Sequence, residues 1–157
     1  MPTELKDDLG VQMREKGGEY GTTTGRARRC GWFDAVLGLK SVYLNGYTEL
    51  ALTKLDVLTG IDPIKICVGY DLDGEKLGYP PEATEDLARC QPIYEEMPGW
   101  TEDISEIKDY DDLPANARAY VERLDDLLYV EPLDNCIAAV SVGPGREQTI
   151  YLDEPED

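Results

Sequence analysis

Histidine is absent from this sequence, and with it the side chain that most often serves as a general base or a metal ligand. Any acid–base chemistry must therefore use carboxylates or come from another chain. Cationic residues are also scarce, because 15 Lys and Arg stand against 33 Asp and Glu and leave a formal net charge of -18. This excess of acid repels phosphate backbones, which argues against a nucleic-acid partner.

Cysteines at metal-ligand spacing are missing as well. The four cysteines, Cys30, Cys67, Cys90 and Cys136, form no Cys-x-x-Cys motif, so buried free thiols are expected rather than a metal site. No apolar run is long enough to cross a membrane, and the first residues do not form a signal peptide. The expectation is a cytoplasmic protein without a membrane partner, with its 157 residues folded as one domain.

The stretch from Gly21 to Gly31, the basic loop, has the opposite charge to the rest of the chain. It reads Gly-Thr-Thr-Thr-Gly-Arg-Ala-Arg-Arg-Cys-Gly, with three arginines and no acid. Glycine lets backbone amides approach a ligand, and arginine binds a carboxylate or phosphate through two parallel hydrogen bonds. The pattern indicates an anion site. A solvated loop whose arginines pair with nearby acids explains it equally well.

Hydrophobic periodicity predicts an α/β chain, with a mixed β-sheet flanked by helices. Helices are predicted at 2–16, from about 34 to 45 and at 114–128, and strands at 49–53, 64–72, 136–142 and 149–152. Gly17-Gly18 should end the first helix, Asp34 should cap the second, and Asp73-Gly74 should form a hairpin turn. Trp32 and Phe33 are expected to anchor the far end of the basic loop in the core. The second helix should be buried through Val36, Leu37, Val42 and Leu44. The third should face water through Arg118, Glu122, Asp125 and Asp126. The tail at 153–157 is expected to be disordered.

The tetrapeptide from Thr53 to Asp56, the guanine segment, directly follows a predicted strand. Ligands collect at the carboxyl ends of strands in open α/β sheets. Guanine presents two adjacent donors, the ring N–H and the exocyclic amine, which one carboxylate accepts together, whereas adenine presents no such pair. Asp56 is therefore a candidate guanine reader, with the stem of Lys54 along the base, although a chance surface turn explains this tetrapeptide alone better. The second turn, Ser141-Val-Gly-Pro144, is a weaker signal, because it is small enough to touch a base edge but also consistent with a simple turn of the chain.

Four stretches taken together resemble the adenylosuccinate synthetase family. In chain order they are Gly-Thr-Thr-Thr-Gly-Arg-x-Arg-Arg-Cys-Gly-Trp, Leu-Thr-Lys-Leu-Asp-Val-Leu-x-Gly, Pro-Ile-Tyr-Glu-x-Met-Pro-Gly-Trp and Ser-Val-Gly-Pro-x-Arg-Glu-Gln-Thr-Ile. The resemblance extends from Pro2 to Leu152 and matches the C-terminal third of the family's chain. It implies that residues 1–157 form the C-terminal portion of a larger, P-loop-like, GTP-dependent ligase fold.

The resemblance also implies an activity and its ligands. The family is a homodimeric, cytoplasmic ligase of AMP biosynthesis that joins IMP and L-aspartate into adenylosuccinate, with GTP as co-substrate and Mg²⁺ as cofactor. GTP phosphorylates the hypoxanthine oxygen of IMP, and the aspartate amine then displaces that phosphate. By motif match, the residues expected to bind L-aspartate are Thr22, Thr23, Thr24, Gly25, Arg26, Ala27 and Arg28, and Arg26 is also expected to bind IMP. Those expected to bind GTP are Arg28, Lys54, Leu55, Asp56, Ser141, Val142 and Gly143.

The departures from the family pattern limit what this chain is expected to do. The family's glycine-rich phosphate loop, its catalytic aspartate and histidine, and its magnesium ligands have no counterpart in these residues. We therefore expect no catalytic or metal-binding residue in the chain and no activity from the chain alone. The main hypothesis is a part of the ligase that needs the missing N-terminal part as partner and exposes apolar faces without it. The alternatives are a free-standing, non-catalytic guanine-nucleotide-binding module and an inactive remnant.

Overall fold

A computed structural model describes residues 1–131 and 136–152, which form two compact units. The first unit comprises Met1–Leu37 and Lys65–Glu96, and the second comprises Gly38–Ile64 and Met97–Asp157. The stretch 131–135 is irregular in sequence relative to the resembled family and is expected to carry a small insertion; apart from Glu131, it lies outside the described residues, as does the tail at 153–157 that is expected to be disordered. The helices are α1 (Asp8–Gly17), α2 (Ala35–Asn45), α3 (Thr84–Arg89) and α4 (Ala115–Leu128). The strands are β1 (Phe33–Asp34), β2 (Leu50–Leu52), β3 (Ile64–Leu72), β4 (Glu75–Leu77), β5 (Gln91–Met97), β6 (Ile137–Ser141) and β7 (Thr149–Tyr151).

The sheet of the first unit is organised around β3. This strand has the bounds that its alternating β-branched pattern predicts, and it pairs with β1, β4 and β5. The pairing with β1 is parallel, with Phe33 opposite Ile66, and the pairing with β4 is antiparallel, with Tyr70 opposite Leu77. Asp73 and Gly74 turn the chain between β3 and β4 with positive φ angles of 55° and 93°, as an Asp-Gly hairpin requires.

The sheet of the second unit has the order β2-β6-β7. The pairing of β2 with β6 is parallel, and that of β6 with β7 is antiparallel. The α/β class and the mixed pairing are therefore confirmed. The single predicted sheet divides into two, because the strand around Ile66 pairs within the first unit. The predicted buried strand at 49–53 is shorter and only half-buried, since Ala51 is exposed.

Helix α1 begins six residues later than predicted. The carboxylate of Asp7 accepts the N–H of Gly10 at 3.1 Å and caps the first turn, which fixes the start at Asp8. The helix ends as predicted at Gly18, whose φ of 59° places it in the left-handed region. The residues before Asp7 are therefore available to pair elsewhere, next to the basic loop.

Helix α2 begins where Asp34 was predicted to cap it, since its Oδ1 accepts the N–H of Leu37 at 3.1 Å. The other carboxylate oxygen accepts the hydroxyl of Tyr70 at 2.6 Å, and burial together with this bond raises the pKa of Tyr70. Val36 and Val42 are buried as predicted and Leu37 is half-buried, but Leu44 is 74% exposed, so that prediction is wrong within the described residues.

In helix α4, the prediction of a water-facing side chain is wrong for one of the four polar residues, Asp125. Its apolar stripe is buried as expected, and Arg118, Glu122 and Asp126 are at least partly exposed. Asp125 instead accepts the backbone N–H groups of Cys136 and Ile137 at 2.8 and 2.7 Å. One carboxylate oxygen thereby satisfies two donors at the start of β6, a role that periodicity does not reveal.

Three of the cysteines, Cys67, Cys90 and Cys136, are buried free thiols as predicted, whereas Cys30 is partly exposed. Burial, helped by the nearby charge of Asp34, raises the pKa of Cys67 to about 11, so this thiol stays protonated at neutral pH. Among the helices of residues 1–131 and 136–152, the structure contains none that is long and apolar enough to cross a membrane.

Asp125→Ala should destabilise the isolated chain by about 2–3 kcal/mol, because it leaves two backbone donors at the start of β6 without their acceptor. Asp126→Ala is the matched control: that carboxylate is 73% exposed and makes only a 3.8 Å ion pair with Arg123, so its loss should cost below about 0.5 kcal/mol. Urea unfolding followed by circular dichroism measures both values. Equal effects of the two substitutions would contradict the role assigned to Asp125.

Candidate functional site

The basic loop is the tip of a small hairpin in the first unit. Tyr20 and Ala27 form an isolated antiparallel bridge, and the N–H of Gly21 donates to the carbonyl of Arg26 at 2.8 Å. Gly25 has a φ of 62°, and its N–H donates to the carbonyl of Gly21 at 2.7 Å, which closes the turn. The hairpin therefore owes its shape to its backbone and leaves its side chains exposed.

The far end of the hairpin is fixed by the first residues of the chain. The N–H of Leu5 donates to the carbonyl of Cys30 at 2.9 Å, and the N–H of Trp32 donates to the carbonyl of Thr3 at 3.2 Å. A Cβ atom at Gly31 would lie 2.1 Å from the carbonyl oxygen of Thr3, so the close approach requires glycine. The side chain of Trp32 is buried, as predicted for this anchor.

The three arginines of the loop have different environments. Arg28 pairs with Glu19 at 3.0 Å, and Arg29 pairs with Glu4 at 3.7 Å. Arg26 is exposed and makes no ion pair with any residue that the structure describes. The interpretation of a loop neutralised by nearby acids therefore accounts for two arginines, while Arg26 keeps its guanidinium available to an anion.

The threonines precede Arg26 and are exposed. The hydroxyl oxygen of Thr24 accepts the N–H of Arg26 at 3.3 Å, which holds the backbone of the turn in place. Its hydrogen remains a donor. Thr22 and Thr23 are exposed at the same tip, so hydroxyl donors and an arginine without an ion pair occur within five consecutive residues. Such a cluster can bind a carboxylate.

In the second unit, two turns follow the carboxyl ends of two adjacent parallel strands. The guanine segment follows β2 and the second turn begins at the end of β6, and these strands pair with Leu52 opposite Val140. The backbone N–H of Lys54 donates to the hydroxyl oxygen of Ser141 at 2.8 Å. Residues 87 positions apart are thus brought together at one edge of the sheet, as the family resemblance implied for the two walls of a guanine site.

Asp56 presents a carboxylate oxygen without a hydrogen bond. Lys54 has a φ of 63°, unusual for a non-glycine residue, and the short 3-10 turn that starts at Leu55 follows it. Leu55 is buried and anchors the turn. The Oδ1 atom of Asp56 is itself buried and accepts no hydrogen bond from residues 1–131 or 136–152. A buried acceptor of this kind is costly unless a ligand supplies the donor.

The second turn is shaped by Gln148, a residue that the sequence patterns did not single out as functional. Its side-chain oxygen accepts the N–H of Gly145 at 2.7 Å, and its amide nitrogen donates to the carbonyl of Ser105 at 2.9 Å. A Cβ atom at Gly143 would lie 2.4 Å from the side-chain amide of Gln148, so a side chain there would displace that amide from its hydrogen bonds. Val142 is fully buried, and its N–H donates to the carbonyl of Gln148 at 2.8 Å.

The predicted site residues therefore form two groups. The aspartate-binding candidates are together in the hairpin of the first unit, and the guanine-reading candidates other than Arg28 are together at the sheet edge of the second unit. Glu19, the partner of Arg28, was missed, although an acid two residues before a basic loop is a usable signal. No group of three or more potential metal-ligating residues occurs in the described part of the chain.

Comparisons with known proteins agree with these motifs. The family model described as adenylosuccinate synthetase matches residues 1–150. The adenylosuccinate synthetase of Methanothrix thermoacetophila is 72% identical over 153 residues, which are 98% of this chain and 35% of that protein. Adenylosuccinate synthetase 2 of Methanosarcina acetivorans is 58% identical over 149 residues, which are 95% of this chain and 34% of that protein.

A solved structure, described as fully ligated adenylosuccinate synthetase from Plasmodium falciparum, has the same fold. It superimposes with a TM-score of 0.90 at 40% identity and covers 98% of this chain and 36% of its own. The chain therefore spans about a third of the length of the relatives that it matches. On this evidence the chain belongs to the adenylosuccinate synthetase family.

Proposed function

We propose that this chain supplies aspartate capture and guanine recognition to a GTP-dependent ligase that joins IMP and L-aspartate into adenylosuccinate. The observation that carries the proposal is the buried Oδ1 of Asp56, which has no hydrogen-bond donor among the described residues. The ring N–H and exocyclic amine of guanine would supply two donors to this one carboxylate. The chain contributes binding, and the phosphoryl chemistry with Mg²⁺ belongs to the remaining two thirds of a family-length protein.

The guanine site is proposed to have two walls. Asp56 reads the Watson–Crick edge, and the αL conformation of Lys54 places that residue at the entrance to the turn. Ser141, Val142 and Gly143 form the second wall, held by the Lys54–Ser141 hydrogen bond and by Gln148. Because Oδ1 of Asp56 is buried in this structure, its turn must open before the donors of a base can reach that oxygen.

The aspartate site is proposed to be the tip of the hairpin. Aspartate carries two carboxylates, and Arg26 has its guanidinium available, with Thr22, Thr23 and Thr24 beside it. Arg26 is also proposed to contact IMP, and Arg28 to exchange its ion pair with Glu19 for contacts with aspartate and GTP. That pair is 3.0 Å long and solvent-exposed on the arginine side, so it is weak enough to be replaced.

A chimaera tests guanine recognition, with this chain replacing the matching third of the Methanothrix thermoacetophila relative. We expect the chimaera to consume IMP with GTP, and Asp56→Asn to lower kcat/KM for GTP at least about 100-fold, because an amide offers a donor where guanine needs an acceptor. Xanthosine triphosphate should restore activity to this variant, since xanthine has a carbonyl in place of the exocyclic amine. Initial rates of the variant with GTP and with xanthosine triphosphate test this expectation. A variant that is slow with both nucleotides would refute guanine recognition by Asp56.

Arg26→Ala in the same chimaera should raise KM for L-aspartate about 10- to 100-fold, because a charge-assisted hydrogen bond to a carboxylate is lost. Arg29→Ala is the matched control: it removes an equal charge from the same loop, but from a side chain that pairs with Glu4. The KM of the Arg29→Ala variant for L-aspartate should stay within about twofold of the parent value. Rates at varied aspartate concentration give both values, and indistinguishable effects would show that only the net charge of the loop matters.

A further inference from the structure

The last turn of α1 contacts both arms of the hairpin that carries the basic loop. On the outgoing arm, the hydroxyl of Tyr20 donates to the carboxylate of Glu15. On the returning arm, the carbonyl oxygen of Arg28 accepts the Nε–H of Arg14 at 2.9 Å. Helix and hairpin belong to the same compact unit. Two neighbouring side chains of one helical turn therefore hold the two arms at the base of the loop.

Arg14 also belongs to a closed ring of contacts with Glu19 and Arg28. The N–H of Glu19 donates to the carbonyl of Arg14 at 2.9 Å, and the N–H of Arg28 donates to the carbonyl of Glu19 at 2.9 Å. The bond from Nε of Arg14 to the carbonyl of Arg28 closes the ring. Of these three hydrogen bonds, the one from Nε uses a side chain, so a substitution at Arg14 can remove it and leave the two backbone bonds in place.

The ring lies close in sequence to the arginine that is proposed to bind aspartate. Arg28 follows Arg26 by two positions, and the carbonyl of Arg26 accepts the N–H of Gly21 at 2.8 Å across the same hairpin. A shift of the returning arm at Arg28 therefore moves the backbone that carries the Arg26 guanidinium. Hydrogen bonds weaken steeply with distance and angle, so such a shift weakens the grip on a carboxylate.

The environment of Arg14 suits a residue that holds a loop in place. Its side chain is half-buried, and it lies in the last turn of α1, where the carbonyl groups of the helix end favour a cation. We propose that Arg14 is a positioning residue for aspartate capture, because its bond to the carbonyl of Arg28 holds the returning arm, and with it Arg26, in the geometry that binds a carboxylate. This inference rests on the aspartate role proposed above for the hairpin.

Two substitutions of Arg14 separate its hydrogen bond from its charge. Arg14→Gln removes the charge but places an amide nitrogen the same number of bonds from the backbone as Nε, so a donor to the carbonyl of Arg28 is kept. Arg14→Met removes both the charge and the donor. Glutamine and methionine are both good helix formers, so α1 should form equally well in the two variants.

In the chimaera, Arg14→Met should have a KM for L-aspartate about 3- to 10-fold higher than Arg14→Gln, because one hydrogen bond to the hairpin is lost. The kcat values of the two variants should agree within about twofold, since the bond positions a binding group and does not act on the reacting atoms. Arg14→Gln should keep a KM within about twofold of the parent value, because its donor is retained. Initial rates at varied aspartate concentration measure these values.

Trypsin cleavage of the isolated chain tests the hairpin without any ligand. Trypsin cuts after the exposed arginines of the basic loop, and cleavage requires that the loop opens locally. Cleavage after Arg26, Arg28 or Arg29, located by mass spectrometry, should be about 3- to 10-fold faster in Arg14→Met than in Arg14→Gln, because the opening is less opposed.

Three outcomes would overturn the inference, and they are distinguishable. Equal KM values for the two variants, with Arg26→Ala keeping its effect, would remove the positioning role of Arg14 and leave the aspartate site in place. Equal cleavage rates would show that the Nε bond does not hold the hairpin. If cleavage differs but Arg26→Ala leaves the KM for aspartate unchanged, Arg14 orders a hairpin that does not capture aspartate, and the aspartate part of the proposed function fails as well.

Discussion

The hydrogen bond between the backbone N–H of Lys54 and the hydroxyl of Ser141 is the contact on which the candidate guanine site depends. It joins two turns that follow neighbouring parallel strands, and parallel pairing alone puts their carboxyl ends at the same edge. The bond also accompanies the positive φ of Lys54, from which the chain enters the turn carrying Asp56. In the part of the chain that the structure describes, no donor reaches Oδ1 of Asp56, whose position follows from the backbone of its turn.

The basic loop is stabilised by different interactions. Its backbone is closed by hydrogen bonds within the hairpin, and its far end is fixed by Thr3 and Leu5, so the tip is shaped before any ligand arrives. Two of its arginines are balanced by Glu19 and Glu4, which lowers the cost of placing three like charges within four consecutive residues. Among the residues that the structure describes, Arg26 at the turn has no ion-pair partner. Charge is thus concentrated at one guanidinium, where a dicarboxylate is proposed to bind.

Sequence reasoning predicted the elements whose signals are local. The β-branched alternation of β3 and the Asp-Gly turn after it gave the strand and hairpin bounds, and Asp34 gave the start of α2. Sequence reasoning failed where tertiary contacts determine the role of a residue or the pairing of a strand. Asp125 sits on the polar side of a helical wheel, but its oxygen accepts two backbone donors eleven and twelve residues away. The division into two sheets was also missed, because strand periodicity does not specify which strands pair.

The candidate site residues were singled out for a related reason. Threonines, glycines, arginines and an aspartate just past a strand have functional groups suited to binding an anion or a base, so a motif identifies them as candidates. Glu19 was missed although its position beside a basic loop is a usable signal, whereas Gln148 was not predictable, because it fixes a turn through contacts that only the fold creates.

The exposed end of α2 shows the same limit of sequence reasoning. Leu44 was predicted to be buried from its neighbours in sequence, and that prediction is wrong within the described residues. Periodicity places Leu44 among the apolar residues of α2, but it does not specify whether another element covers that side of the helix. Burial is decided by contacts with residues distant in sequence, as it is for Asp125 at the start of β6.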